Sequence, residues 1–260
     1  MTGKEREEAK KRGTDDLFDP LIECIIHRRS IRSFQPTPVA DEVVMKILEA
    51  GRWAPSGGNS QPWEFIVVKR RDTLEKIGRI FVEDREQRIR EKVNFPGSAK
   101  SYIAKVPAMI VVVADPRWKQ AYPGTDFTPA LRRMYARNRE LIFVQSVAAA
   151  VENMFLAASS LGLGMAWLTG FAEDRMGRKL RRLLKIPEPV RLMAGLPIGY
   201  PKVPGQTRSR RPLEHLVHHE TYDPDRLKTE EFFLDFCENE RNRIAYSAGV
   251  VKNGGRGSRF

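Results

Sequence analysis

Two short segments hold the residues best suited to chemistry. Arg28-Arg29-Ser30-Ile31-Arg32 puts three guanidinium groups and a hydroxyl within five residues, and Arg presents a planar fork that matches phosphate oxygens. Ala54-Pro55-Ser56-Gly57-Gly58-Asn59-Ser60-Gln61-Pro62-Trp63 is a turn of small residues carrying side-chain amides at Asn59 and Gln61. Gly57 and Gly58 have no side chain, so such a turn lets a planar polar ring approach the backbone. A phosphorylated heteroaromatic cofactor would satisfy both segments at once.

The flanking elements must position them. Pro20 to about Arg29 reads as a helix with Leu21, Cys24 and Ile25 on one face, and Pro36 and Pro38 keep the next stretch extended. Asp41 can cap a helix running to Trp53, with Val44, Ile47, Leu48 and Gly51 at i, i+3, i+4 and i+7. Trp63 to Lys69 reads as a strand, and Asp72 to about Arg90 as a charge-rich helix. The Ile/Val run from Pro107 to Ala114 fits a strand covered on both faces. Asp115 to Pro129, with three prolines and a glycine, reads as a loop or lid. Leu141 to Leu161 is the strongest helix, with Val144, Ala148, Val151, Phe155 and Ala158 as its apolar seam. Gly162 to Gly164 stops it, and Met165 to Thr169 and Arg191 to Ile198 follow as strands. This succession predicts a mixed β-sheet flanked by helices.

The 260 residues suffice for one large domain or two small ones. The apolar run at Ala108 to Ala114 is far too short to span a bilayer, and Met1 to Asp16 has no secretion-signal pattern, so no membrane partner is expected. Two distant cysteines, Cys24 and Cys237, argue for a reducing, cytoplasmic setting. A net charge of +12 favours anionic partners. Yet Arg175, Arg178, Lys179, Arg181, Arg182 and Lys185 share the polar side of a helix whose other side is Met176, Leu180, Leu183 and Leu184. Without a binding motif this is a solvated face rather than a nucleic-acid footprint. His215, His218 and His219 lack a fourth ligand and read as solvated or packing residues, so no metal is expected. Trp118, Tyr122, Phe127 and Tyr135 divide evenly between stacking on an aromatic substrate and packing.

The motifs, taken in order, resemble the nitroreductase family of FMN-dependent oxidoreductases from about Leu21 to Tyr222. Carrying the resemblance are Arg28 to Arg32, Ala54 to Trp63, Gly162 to Phe171, Gly199-Tyr200-Pro201 and Arg208-Ser209-Arg210-Arg211-Pro212-Leu213-Glu214. It implies an α+β fold, a nitroreductase-like mixed β-sheet flanked by helices, working as an intertwined homodimer with FMN at the subunit interface and NADH or NADPH as electron donor. Arg28, Ser30 and Arg32, with Arg29 alongside, would contact the ribityl phosphate and the pyrimidine side of the flavin. Arg210, with Arg208 beside it, would close the phosphate site. Pro55, Ser56, Gly57 and Asn59 would come from the partner subunit and lie against the ring. Leu168, Thr169 and Gly170 would pass the reactive ring nitrogen, where a backbone N–H can donate to it. Thr169 stands where the family often has an acidic residue.

The implied organisation is a polar arm over 1–18, an FMN-binding domain over 19–222, and a C-terminal extension with a disordered basic tail over 223–260. The implied reaction is a ping-pong hydride transfer from the nicotinamide through the flavin to a small molecule, whether a nitroaromatic, a quinone or another electron-poor ring. No acid or base residue is singled out as catalytic, since solvent can supply protons. Two alternatives stand beside it: a flavin-consuming or reductively dehalogenating member of the same fold, and a non-catalytic, basic, dimeric binding protein.

Overall fold

A computed structural model describes residues 19–93, 100–122, 128–205 and 210–236. The proposed arm over 1–18, Arg208, Phe127, Cys237 and the basic tail lie outside the described residues. Contacts divide the chain into Met1–Gln206 and Thr207–Phe260.

The first unit is built on one sheet of four strands, β1 (Trp63–Val68), β2 (Ala108–Ala114), β3 (Gly164–Met165) and β4 (Arg191–Gly199), in the order β1-β2-β4-β3. All three strand ladders are antiparallel. Among the described residues the parallel component is a single bridge from Ser30 to Met165. Helix α1 covers 19–27; α2 (Asp41–Arg52), α3 (Arg71–Arg90), α4 (Pro129–Ser160) and α5 (Asp174–Leu184) follow.

The period-2 geometry of β2 explains why its entire run is apolar. Ile110 and Val112 face Val44 and Ile47 of α2 and Phe143, Val151 and Met154 of α4. Met109, Val111 and Val113 face Leu74, Ile77 and Phe81 of α3 and Met176 and Leu180 of α5. All seven residues of β2 are buried, as the Ile/Val run predicts. The sheet is thus the middle of three layers.

Several elements depart from expectation. Asp41 is not the cap of α2: Ala40 holds that position without a side-chain bond, and Asp41 lies in the first turn, where its carboxylate pairs with Lys69. Helix α4 begins twelve residues before Leu141, at Thr128-Pro129, where the Thr128 hydroxyl accepts from the Leu131 amide at 3.4 Å and Pro129 takes the first turn. That is a sound helix start, concealed in the sequence because residues 131–140 carry mixed charge and are mostly exposed. The buried stripe of α4 runs through Phe143, Val147, Val151, Met154 and Ala158, and Val144 is exposed instead of leading the seam. Helix α4 is long and apolar enough to cross a membrane, but this stripe packs on the sheet as a core helix does. Of the expected 165–169 strand only Met165 is strand, with Gly164 before it; Leu168 makes one bridge to Gly195, and Thr169–Ala172 turns into a 3-10 helix.

That turn is anchored by Phe171, fully buried against Phe81 at a ring separation of 5.3 Å. A Cβ on Gly195 would meet the Phe171 ring at 2.2 Å. Gly195→Ala should therefore cost about 2–3 kcal/mol, read as a lowered urea midpoint with an unchanged slope.

Candidate cofactor site

The basic segment follows α1 directly. The Ile31 amide donates to the Met165 carbonyl at 2.8 Å, next to the Ser30–Met165 bridge, so residues 28–32 lie along the outer edge of β3. Three residues beyond Met165, Leu168 exchanges both backbone hydrogen bonds with Gly195, at 2.9 and 3.2 Å. The sheet therefore brings Arg28–Arg32 and Leu168–Gly170 to neighbouring places, about 10 Å apart along the chain. The amides of Thr169 and Gly170 have no protein acceptor among the described residues. They are free to donate to a bound group.

Each basic residue has a distinct setting. Arg28 is mostly buried, with its guanidinium 5.5 Å from the Phe155 ring centroid and its Nε 3.3 Å from the Glu152 carboxylate. That is ion-pair distance, but the N–H points off the oxygen, and Nε remains a buried donor without a hydrogen bond. Arg29 bonds the carbonyls of Ile26 and Arg28. With His27, Ile31, Phe155 and Gly205, these two arginines line a cavity of about 210 Å³. An orphaned buried guanidinium donor beside a basic cavity of this size fits a phosphate monoester. Arg32 is exposed and reaches back to the Ser30 carbonyl at 3.4 Å.

Near Arg32 stand Lys100 and Tyr102. The Lys100 ammonium lies 5.0 Å from the Phe81 ring centroid. Burial, aided by the charges of Arg88 and Arg32, holds its pKa below the usual lysine range. Burial pushes the Tyr102 phenol up to about 12, against a small opposing effect of Arg32, and its hydroxyl has no hydrogen-bond partner.

The Gly-Gly turn occupies a different place. The Gly57 amide donates to the Ser146 hydroxyl at 3.2 Å, and a Cβ there would meet Ile142 at 2.1 Å. Gly58, with φ +56°, would bring a Cβ within 2.8 Å of the Ala121 carbonyl. The glycines thus have a packing reason of their own, against α4 and the 116–121 segment. Pro55 and Asn59 are exposed, and Ser56 accepts from the Gln61 amide at 3.0 Å.

The two segments sit at opposite corners of the sheet. Trp63, just after the turn, aligns through Ala114 with Arg191, whereas Met165 pairs with Ile198 at the far end of β4. Seven residues along the strand and four inter-strand steps out to Ser30 separate them by roughly 30 Å. One phosphorylated ring cannot touch both within a single chain.

Arg210 lies in the second unit. There, Arg226 donates to the Val217 and Glu214 carbonyls at 2.7 and 2.6 Å, and His218 accepts from the Asp223 amide at 3.1 Å while stacking on Tyr222. Tyr122, considered for substrate stacking, is instead buried in the core; Trp118 and Tyr135 are exposed.

Sequence reasoning passed over Glu152. The signal was present: it is the only charged residue from Leu141 to Ser160. It also passed over the ion-pair cluster of Asp84, Arg88, Glu91, Glu173 and Arg175, which the sequence spreads across 92 positions. Arg175 and Lys179, read as solvated cations, in fact pair with Asp84, Glu91 and Glu83.

The fold is thus a three-layer α+β architecture that carries two arginines and two unbonded backbone amides beside one strand edge. A model of the Nitroreductase family matches residues 25–200, and the chain belongs to that family. A protein of Archaeoglobus fulgidus, provisionally named NADH dehydrogenase/NAD(P)H nitroreductase, is 34% identical over 71% of this chain and 87% of its own length. An FMN reductase [NAD(P)H] of Bacillus subtilis is 28% identical over 79% of this chain and 75% of its own. Among solved structures, a provisionally named nitroreductase of Desulfovibrio desulfuricans in complex with FMN superposes with a TM-score of 0.58 at 28% identity, covering 78% of this chain and 98% of that one.

The phenol of Tyr102 gives a pH test. Its folded pKa of about 12 exceeds the unfolded value near 10, so its contribution to stability is complete below pH ~10 and is lost as pH rises toward ~12. Tyr102→Phe should remove that part of the alkaline decline in denaturant midpoint and leave neutral-pH stability nearly unchanged, since the hydroxyl has no partner to lose.

Proposed function

We propose that the protein is an NAD(P)H-dependent FMN oxidoreductase whose flavin sites are each completed by two copies of the chain. The observation that carries this reading is the Ser30-Ile31 pairing with Met165, which sets buried phosphate-type donors and the Thr169 and Gly170 amides on one stretch of sheet edge. Arg28 and Arg29 would take the phosphate, joined by Arg208 and Arg210. Arg32 would face the pyrimidine carbonyls, and a cation there favours negative charge on the reduced ring. The amides at 169 and 170 would donate to the ring nitrogen. Pro55, Ser56, Gly57 and Asn59 of a second copy would cover the ring, a reading that their distance from Arg28 within one chain supports. The chemistry such a cofactor supplies is two-electron transfer from NADH or NADPH to a nitroaromatic, quinone or other electron-poor acceptor in two half-reactions.

A second reading, reductive dehalogenation at the same site, is favoured by one finding: an iodotyrosine deiodinase of Hydra vulgaris is 26% identical over 73% of this chain and 69% of its own length. Anaerobic mixing separates the two. Rapid loss of the oxidised flavin absorbance on adding NADH or NADPH supports the oxidoreductase; no loss with either donor, while dithionite bleaches the flavin, supports the dehalogenase.

Arg28→Ala and Arg210→Ala should each weaken FMN retention by about tenfold or more, followed by flavin fluorescence after gel filtration. Retention unchanged in both would end the flavin reading. Sharing of the site has its own test. Co-expression of an Arg28→Ala chain with a Pro55→Asp chain, changed at an exposed position of the turn, should restore FMN to about a quarter of the sites, because random pairing gives half heterodimers with one intact site each. No restoration would mean that each site is built from one chain.

A further inference from the structure

The Arg28 guanidinium is gripped on two sides by residues of α4. Phe155, almost wholly buried, has its ring face toward the guanidinium, with 5.5 Å from the guanidinium carbon to the ring centroid. Glu152, one helical step earlier on the same face, approaches Nε at 3.3 Å. Spacing of three residues along a helix places two side chains side by side, so one element supplies both the charge and the ring. Glu152 is 47% exposed at its side chain and Arg28 only 21%. The carboxylate therefore remains hydrated while the cation it faces is mostly withdrawn from water. A cation so withdrawn needs a counter-charge to hold its place, and no other carboxylate lies within ion-pair distance of Arg28 among the described residues. The approach is through Nε, the edge nearest the side-chain stem. The two Nη groups at the far end make no protein hydrogen bond among the described residues, and Arg28 lines a cavity with Arg29 and His27.

We propose that Glu152 is a positioning residue for recognition of the cofactor's phosphate: with Phe155 it fixes the orientation of Arg28, so that the Nη fork is preset toward the phosphate. This rests on the flavin reading above. Glu152 touches neither the phosphate nor the ring; its effect passes through Arg28. Presetting matters because a long, flexible guanidinium otherwise loses side-chain entropy when the anion binds. The carboxylate also repels a phosphate dianion, and the two effects oppose each other. The proposal is that orientation outweighs repulsion.

Titration of the purified full-length protein, stripped of flavin, with FMN and with riboflavin separates these effects, because riboflavin has the ring and the ribityl chain but no phosphate. Glu152→Ala should raise the FMN Kd by about tenfold, the order expected for a lost charge-assisted contact, and leave the riboflavin Kd unchanged. Glu152→Asp keeps the negative charge that faces Nε, and should stay within about threefold of the parent for FMN. A merely structural role for Glu152 would move both flavins together and would not be rescued by aspartate. An FMN Kd that is unchanged or lower in Glu152→Ala, or an equal loss for riboflavin, overturns the proposal. Loss of the preference for FMN over riboflavin in Arg28→Ala, with the preference intact in Glu152→Ala, removes the positioning role and keeps the flavin site. A parent protein that takes up neither flavin removes both.

Discussion

One hydrogen bond, from the Ile31 amide to the Met165 carbonyl, decides where the basic segment goes. Without a strand to pair with, Arg28 to Arg32 would be an ordinary solvated end of α1. Pairing requires close approach: Ile31 is buried, and a Cβ on Gly164 would stand 2.3 Å from its side chain. The bare backbone of Gly164 thus lets Ile31 seat against β3. Two guanidinium groups are then carried to a cavity that they share with Phe155.

From that anchor the rest of the architecture divides its labour by position on the sheet. The β3 edge holds charge, the turn after β3 offers unpaired amides, and the opposite corner, past β1, presents the small-residue turn. The two cores on either face have no direct part in this. They fix the angles at which the edges are presented, through β2 residues that point alternately to α2 with α4 and to α3 with α5. Both candidate segments therefore lie on the margins of the sheet and not over its faces.

Much of this was legible in the sequence, for identifiable reasons. The β2 strand was plain because seven consecutive apolar residues admit few alternatives, and the core half of α4 because its pattern is long. The basic segment and the Gly-Gly turn stood out because their residue types are costly to keep without a purpose. What stayed hidden depended on distance along the chain. The start of α4 was obscured because Thr128 and Pro129 follow a proline-rich stretch and precede a charged one, so capping chemistry had to be read without a supporting apolar stripe. Nothing local in the 165–169 segment says that it leaves the sheet after two residues; Phe171 sets that by packing on Phe81, ninety residues earlier. The partnership of Arg28 with Glu152 joins positions 124 apart, visible only as one unexplained carboxylate in an apolar helix.

The ion-pair cluster between α3 and α5 constrains how this protein can change over generations. Asp84, with its side chain 6% exposed, accepts from Arg88 at 2.7 Å and from Arg175 at 2.8 Å, one on each oxygen, while Arg88 also reaches Glu173 beside the 169–172 turn. Losing any one member strands a charge against the others, whereas a joint exchange for apolar residues can be nearly neutral. Single-step drift at these sites is therefore costly, and the members are best inherited together or replaced together. The turn bearing the free amides is tied to a cassette that mutates as a block.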